Sequence, residues 1–240
     1  MQSHYPRFGA GASAGVVHKL GGLPSGFPSR LWPLCEGCGR PMSHLGQFPA
    51  RTADPNAPVL PLPDDEVVFL FKCEWDSVCS FWDHADGANR VVSLPRAQLG
   101  ADPGQPPAVA PQEDNEELKL LPELGVTAWV VRDDGAPPDQ EAAFYEFERH
   151  YALPREVAYP HEHASESRTK FGGAPLWTVN GAQGQPYLPP GRLLLQIDSW
   201  VTMADGSFSG EVANFCSDGT AYVFADTSRA PPVFSMIINR

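Results

Sequence analysis

A six-residue pattern occurs twice in this chain and constrains its fold more than any other sequence feature. Lys19-Leu-Gly-Gly-Leu-Pro24 returns as Lys170-Phe-Gly-Gly-Ala-Pro175. Gln47 lies 28 residues after Lys19, and Gln196 lies 26 residues after Lys170. A long pattern that recurs with nearly the same spacing to a following glutamine indicates an internal duplication of one structural unit. We therefore predict two pseudo-repeats that share one core.

Short apolar segments predict that strands outnumber helices. The clearest strand is expected at 66–73, where Val67 to Phe71 are continuously apolar, which indicates burial on both faces. The longest predicted helix is 139–151, which begins with an aspartate able to cap it and carries one apolar face. Residues 1–17 are predicted to form a mobile tail. Six further strands are predicted, at 44–48, 90–94, 126–132, 192–197, 220–225 and 233–238.

The fold class expected from these elements is α+β, mostly β, with a zinc knuckle in the first repeat. A chain of 240 residues is long enough to bury the core of one large domain. We predict that residues 1–240 form a single domain of two repeats, the first at 18–99 and the second at 125–240. Residues 100–124 combine proline, glycine, glutamine and acidic residues and are predicted to link the repeats.

Four cysteines form two pairs in the first repeat. Cys35 and Cys38 have the Cys-x-x-Cys spacing of a metal knuckle and are followed by a glycine, whereas five residues separate Cys73 from Cys79. The two pairs are predicted to converge on one structural Zn²⁺, because four thiolates complete its tetrahedral coordination. A disulfide or redox pair and ordinary buried thiols stay open as alternatives. Cys216 has no partner nearby in sequence and is predicted to be a core residue.

The two Gly-Gly-x-Pro segments suggest a second kind of site. Paired glycines permit positive φ angles or close backbone approach, and the proline sets the direction of the chain beyond them. A structural role is the simpler interpretation. The alternative is a ligand-binding groove where the similar halves meet; its predicted residues are Lys19, Gly21, Gly22, Lys170, Gly172 and Gly173.

The chain is acidic, with 29 aspartates and glutamates against 17 lysines and arginines and a formal net charge of −12. Sequence-independent nucleic-acid binding requires a basic surface, so no nucleic-acid partner is expected. An acidic surface favours a basic protein partner, although it equally serves solubility. No apolar run reaches the roughly 18 residues of a membrane span, and the N-terminus lacks the order of a signal peptide. We therefore expect a cytoplasmic protein without membrane contact; the oligomeric state is left open.

His161, Glu162 and His163 are the best candidates for catalysis. A spacing of two places both imidazoles on one side of a strand, where they suit metal binding or acid–base chemistry. A charged surface loop is the simpler interpretation, because serine and glutamate residues surround them. The Gly-x-Ser-x-Gly, phosphate-loop and His-Glu-x-x-His signatures of common hydrolases and nucleotide-binding proteins do not occur in the sequence.

Taken together, these motifs resemble the YwqG-like family of bacterial proteins. The likeness is carried by KLGGLP, by the Trp-Pro-x-Cys-x-x-Cys-Gly-x-Pro-Met order of Trp32 to Met42, and by two segments of the second half, Leu194 to Asp198 and Ser217 to Phe224. It covers most of residues 18–226 apart from the linker. A more distant similarity to eukaryotic programmed-cell-death-2-like proteins implies an escort for a basic ribosomal protein. The comparison often made between the bacterial family and toxin-immunity proteins implies a neutralising role.

The predicted function is therefore a non-catalytic, zinc-stapled, acidic protein-binding module that neutralises a toxin or escorts a basic partner. The alternative is an enzyme with a site at the junction of the repeats that uses His161, His163 and Glu162. A domain with a small-ligand groove beside the Gly-Gly segments is a third hypothesis. Convergence of the histidines in a deep pocket would favour the enzyme.

Overall fold

The computed structural model describes residues 1–11, 15–75, 79–108, 117–159, 166–178 and 190–240. Strands make up 34% of the chain and helices 12%, so the mostly-β prediction is confirmed. The strands are β1 (Gln2–Ala10), β2 (Lys19–Leu20), β3 (Ser43–Pro49), β4 (Glu66–Lys72), β5 (Asn89–Pro95), β6 (Leu124–Asp133), β7 (Lys170–Phe171), β8 (Arg192–Asp198), β9 (Thr220–Asp226) and β10 (Val233–Asn239). The helices are α1 (Phe147–Tyr151) and α2 (Arg155–Ala158), with 3-10 turns at Ser29–Leu31, His84–Asp86, Arg96–Gln98 and Pro138–Tyr145.

The ten strands of the described residues belong to one antiparallel sheet with the order β10-β9-β8-β7-β1-β6-β2-β3-β4-β5. The two edges of the sheet approach each other, since the backbone N–H of Ile238 in β10 donates to the carbonyl of Trp82, which precedes β5, at 2.9 Å. The sheet is therefore curled until it is nearly closed. Near closure brings the two edge strands together, which reduces the exposure of their unpaired backbone groups.

The strand order is symmetric about its centre. β1 and β6 pair there, and on either side follow β7, β8, β9 and β10 or β2, β3, β4 and β5. The leading strand of each half thus pairs with the opposite half, β1 with β7 and β6 with β2. A duplicated unit predicts this order. The duplication itself stays a prediction, because strand order does not measure how closely the two halves superpose.

The core lies between the strands that the sequence marks as continuously apolar. Val67 to Phe71 of β4 are fully buried, as the predicted burial on both faces requires. Ala221 to Phe224 of β9 are equally buried on the other side of the molecule. Fully burying a large apolar side chain contributes about 1.5–3 kcal/mol, so these two strands anchor the fold.

Two local predictions are wrong. The mobile tail predicted at 1–17 is wrong for the residues of β1, because β1 pairs along its whole length with β6, from Gln2 opposite Asp133 to Ala10 opposite Leu124. The helix expected at 139–151 is split: a 3-10 turn covers Pro138–Tyr145, and α1 begins only after Glu146, whose backbone is extended (φ −123°, ψ 116°). None of the described helices has the length and apolar character needed to cross a membrane.

Candidate metal centre

The four cysteines of the first half meet in space. The Sγ atoms of Cys35, Cys38, Cys73 and Cys79 all lie within 4.8 Å of one another, and those of Cys38 and Cys73 are 3.7 Å apart. Zn–S bonds of about 2.3 Å at tetrahedral angles separate sulfur atoms by roughly 3.8 Å. The 3.7 Å separation also far exceeds the ~2.05 Å of a disulfide bond. The cluster therefore has the composition and the size of a site for one metal ion.

The first pair of ligands sits on a tight turn that precedes β3. Leu34 and Pro41 form an isolated antiparallel bridge, and the N–H of Cys35 donates to the carbonyl of Arg40 at 2.8 Å. Gly39 then donates to the carbonyl of Cys35 at 2.7 Å, in a left-handed conformation with φ of 72°. A residue with a side chain is disfavoured there, so the glycine after the second cysteine allows the backbone to fold around the sulfurs.

The second pair comes from the end of β4 and the connection that follows it. Cys73 immediately follows β4, and its N–H donates to the carbonyl of Ala88 at 2.8 Å. Cys79 is buried in the connection between β4 and β5. Gly37 of the turn lies directly over the sulfurs, where an added Cβ would stand 3.4 Å from Sγ of Cys79. The cluster thus links the turn that precedes β3 to the end of β4 and to the connection that follows it.

The thiols differ in how readily they ionise. Burial opposes ionisation of Cys35, but N–H groups of Cys38 and Gly37 donate to its sulfur, and the net effect is a lowered pKa. Burial raises the pKa of Cys73 to about 11 and also raises that of Cys79. One thiolate is therefore favoured, whereas neighbouring thiolates repel each other. A bound cation removes that repulsion, and binding then releases protons.

A buried ion pair lies beside the cluster. The Lys72 ammonium donates to the carbonyl of Cys73 at 3.0 Å and to Oε1 of Glu74 at 2.8 Å. It also lies over the ring of Phe81, 3.8 Å from the ring centroid. Both charged side chains are almost fully buried, so neither is well solvated by water. Four thiolates around a divalent cation leave two negative charges, and the Lys72 ammonium partly offsets them.

The lysines of the two Gly-Gly segments are buried and have internal partners. Lys19 donates to the carbonyl of Leu23 at 2.7 Å, and Lys170 donates to the carbonyl of Ala174, each four residues ahead. Each ammonium also forms an ion pair with a carboxylate next to β6. Lys19 pairs with Glu123, which precedes the strand, at 2.6 Å, and Lys170 pairs with Asp134, which follows it, at 3.1 Å. These acidic partners were not predicted, although acidic residues at both ends of a predicted strand were a visible signal.

The arrangement that the two halves share extends to the glutamines. Lys19 is paired with Gln47 across β2 and β3, and Lys170 with Gln196 across β7 and β8. Oε1 of Gln47 accepts from the N–H of Ser25, and Oε1 of Gln196 accepts from the corresponding N–H of the second segment. These hydrogen bonds hold each Gly-Gly loop against its strand.

The Gly-Gly residues all have the left-handed φ angles that the sequence suggested, between 58° and 68°. Gly172 and Gly173 also border a cavity of about 270 Å³ between the two halves, together with Val59 and Arg192. A cavity of this volume is small for a ligand site. Ligand binding at the Gly-Gly segments stays a prediction, and the buried, fully paired lysines give these segments a structural role.

The residues of the enzyme alternative, His161, Glu162 and His163, lie outside the described residues. Cys216, expected in the core, is partly buried and packs against the core from a turn before β9. Its position depends on the fold of the connection between β8 and β9, for which the sequence carries no local pattern.

No protein-family model matches the chain, and no curated protein is significantly similar to it. The resemblance to the YwqG-like family therefore stays a prediction based on the motifs alone.

Proposed function

We propose that Cys35, Cys38, Cys73 and Cys79 hold one structural zinc ion, and that the acidic domain it stabilises binds a basic protein partner. The observation that carries the zinc proposal is the convergence of four Sγ atoms within 4.8 Å. Four thiolates suit zinc or iron better than the oxygen-preferring cations. A multinuclear iron–sulfur cluster would attach its cysteines to different iron atoms and spread the sulfurs more widely.

The role of the ion is structural because four protein thiolates leave no open coordination position for water or substrate. Zinc at this site would tie the turn 34–41 to the end of β4 and to the β4–β5 connection. Apparent binding free energies of structural zinc sites are about 10–16 kcal/mol near neutral pH. Even a fraction of that energy is comparable to the stability of a whole domain.

The partner proposal rests on charge. Arginine and lysine side chains of the described residues are largely engaged in ion pairs within the chain, for example Arg90 with Glu36 and Arg132 with Glu166. Exposed acidic residues such as Asp65 and Glu117 therefore dominate the electrostatic potential of the surface, which is negative. A negative potential attracts the basic surface of another protein and accelerates the association of the two. We infer an escort or neutraliser of a basic protein.

Elemental analysis of untagged protein tests the metal. We expect about one zinc per chain, little iron and a colourless preparation, together with loss of zinc from a Cys38→Ser, Cys73→Ser double variant. Cys216→Ser is the matched control, because it removes a thiol outside the cluster. Zinc content well below one per chain, or unchanged in the double variant, contradicts the proposal.

Capture from lysate at stepped salt concentrations tests the partner. We expect proteins of basic isoelectric point whose association rate falls as salt rises, because the Debye length is only about 8 Å at physiological ionic strength. Sucrose at matched osmolality is the control, since it leaves charge interactions unscreened. Binding that is independent of salt would assign the acidity to solubility. Turnover of a substrate that is abolished by replacing His161 and His163 would favour the enzyme alternative.

A further inference from the structure

The two edge strands of the sheet meet at a junction that we call the seam, where β10 packs against β5 and the 3-10 turn before it. Within the part of the chain that the structure describes, no ladder of backbone hydrogen bonds joins β10 to β5. The backbone bond across the seam runs from the N–H of Ile238 to the carbonyl of Trp82 at 2.9 Å. Paired strands normally share several such bonds, so closure of the sheet depends on how Trp82 is held.

The segment that carries Trp82 begins at the metal cluster. Residues 79–83, which we call the strap, start with the cluster thiol of Cys79 and pass through Phe81 and Trp82. Phe81 is 3% exposed and belongs to the core, and the Lys72 ammonium lies over its ring. The strap therefore connects the four cysteines of the first half to the last strand of the second half.

A second attachment fixes the strap to β5. Asn89 is the first residue of β5, and its Nδ2 donates to the carbonyl of Phe81 at 2.8 Å and to that of Asp83 at 3.2 Å. Its side chain is nearly inaccessible to water, since Asn89 is only 2% exposed. The strap is thus held by the Cys79 thiol at its beginning and by the Asn89 amide further along.

We propose that the strap makes closure of the sheet depend on the metal ion, an inference that rests on the zinc binding proposed above. With Cys79 bound to the ion, the strap holds the Trp82 carbonyl against Ile238. When the ion leaves, the beginning of the strap is released, and β5 and β10 separate at the seam. Separation exposes the unpaired N–H and C=O groups of two edge strands, which then suit pairing with an extended segment of another chain.

The opening is confined to the seam because the centre of the sheet has no contact with the strap. β1 and β6 pair there along their whole length, and the four cysteines all lie between β2 and β5 in sequence. Proteins open in local cooperative units, and segments held by few hydrogen bonds open first. The seam fits this description, whereas the β1–β6 pair does not.

Amide hydrogen exchange followed by NMR tests the strap on the untagged chain, either loaded with zinc or stripped by a chelator under reducing conditions. We expect the Ile238 amide to exchange on the order of ten-fold faster without zinc, the effect of losing about one net hydrogen bond. The amides of β6 should keep their rates. An equal increase at Ile238 and in β6 overturns the strap, because the ion would then stabilise the whole domain. An unchanged rate at Ile238 overturns it as well.

Elemental analysis of the same samples separates the two proposals. A chain that binds zinc but shows no effect at Ile238 contradicts the strap alone. A chain that binds no zinc contradicts both the zinc site and the strap.

Asn89→Ala tests the strap without changing a cysteine. We expect zinc content to stay at about one per chain while the Ile238 amide exchanges faster than in the unchanged protein. Gln47→Ala is the matched control, since it also removes a fully buried amide that donates to a backbone carbonyl, but in β3. It should have no selective effect at Ile238. Unchanged exchange at Ile238 in Asn89→Ala overturns the proposal, and the zinc-removal experiment decides it independently of how this variant folds.

Discussion

Lys170 and Asp134 form an ion pair in which both side chains are completely buried, with 3.1 Å between Nζ and Oδ2. The same Asp134 oxygen accepts from the N–H of Ala174 at 2.8 Å, and Ser3 of β1 donates to it at 3.1 Å. The pair therefore connects the end of β6, the second Gly-Gly loop and β1. Lys19 and Glu123 are the corresponding pair of the first half, but the Glu123 side chain is 36% exposed.

Replacing Lys170 is expected to cost far more stability than replacing Lys19. Lys170→Met leaves the buried Asp134 carboxylate without its lysine partner and with only the Met1 ammonium at 3.2 Å as a remaining positive group, and loss of one partner of a buried ion pair typically costs about 3–5 kcal/mol. Lys19→Met leaves Glu123 partly hydrated, so its loss should be clearly smaller. Urea unfolding measures both free energies. Equal losses would mean that burial of the carboxylate does not determine the effect.

Alanine is expected to be tolerated less well at Gly173 than at Gly172. Both glycines have left-handed φ angles, so either substitution costs on the order of 1 kcal/mol. A Cβ at Gly173 would also stand 2.1 Å from Oδ2 of Asp134 and from Oγ of Ser3, whereas a Cβ at Gly172 meets nothing closer than 3.8 Å. Thermal unfolding of the two variants should show a larger decrease in Tm for Gly173→Ala. A similar Tm for both would argue against the crowded contact.

Acidification below about pH 6.5 is expected to destabilise the protein through three buried histidines. Burial lowers the pKa of His18, of His44 and of His150 to about 4. These imidazoles are neutral in the folded state, whereas each gains a proton near pH 6.5 in the unfolded state. The contribution of the neutral histidines to the free energy of unfolding is thus complete above pH 6.5. It is lost as the pH falls toward 4, at up to about 1.4 kcal/mol per pH unit for each histidine.

The variant His18→Phe should flatten this dependence, because His18 already packs among the rings of Trp129 and Phe171 at centroid distances of 5.1 and 5.7 Å. Urea unfolding between pH 4.5 and 7.5 measures the slope. His84→Gln is the control, because it removes an exposed histidine and leaves the buried imidazoles in place. An unchanged slope in His18→Phe would assign the acid sensitivity to other groups.

Lys72 is expected to strengthen metal binding through its charge. Lys72→Met should weaken zinc affinity by roughly ten-fold, the lower end of the effect of losing an outer-shell partner. Glu74→Gln breaks the same ion pair but keeps the ammonium beside Cys73, so affinity should hold or rise. Competition with a chromophoric chelator measures both. Weaker binding in both variants would indicate that the ion pair acts by shaping the site and not by charge.

The sequence by itself determined the strands with strong local patterns and the identity of the cysteine set. Continuous apolar runs such as β4 are buried because removing them from water dominates their energetics wherever the chain places them. Cys35 and Cys38 were recognisable because a knuckle is local. The sequence also predicted that Cys73 and Cys79 complete the set, because four thiolates fill the tetrahedral coordination of zinc. The five residues between these two cysteines are more than a metal knuckle usually has.

Only the tertiary structure decided which distant segments meet. β1 carries no strong strand pattern, and its place at the centre of the sheet comes from backbone hydrogen bonds to β6, which are nearly independent of side-chain identity. Asp134 became the partner of Lys170, and Cys216 came to border a cavity, because the β6 and β8–β9 segments fold back onto other parts of the chain. Contacts of this kind depend on the path of the whole chain, and no short stretch of sequence encodes them.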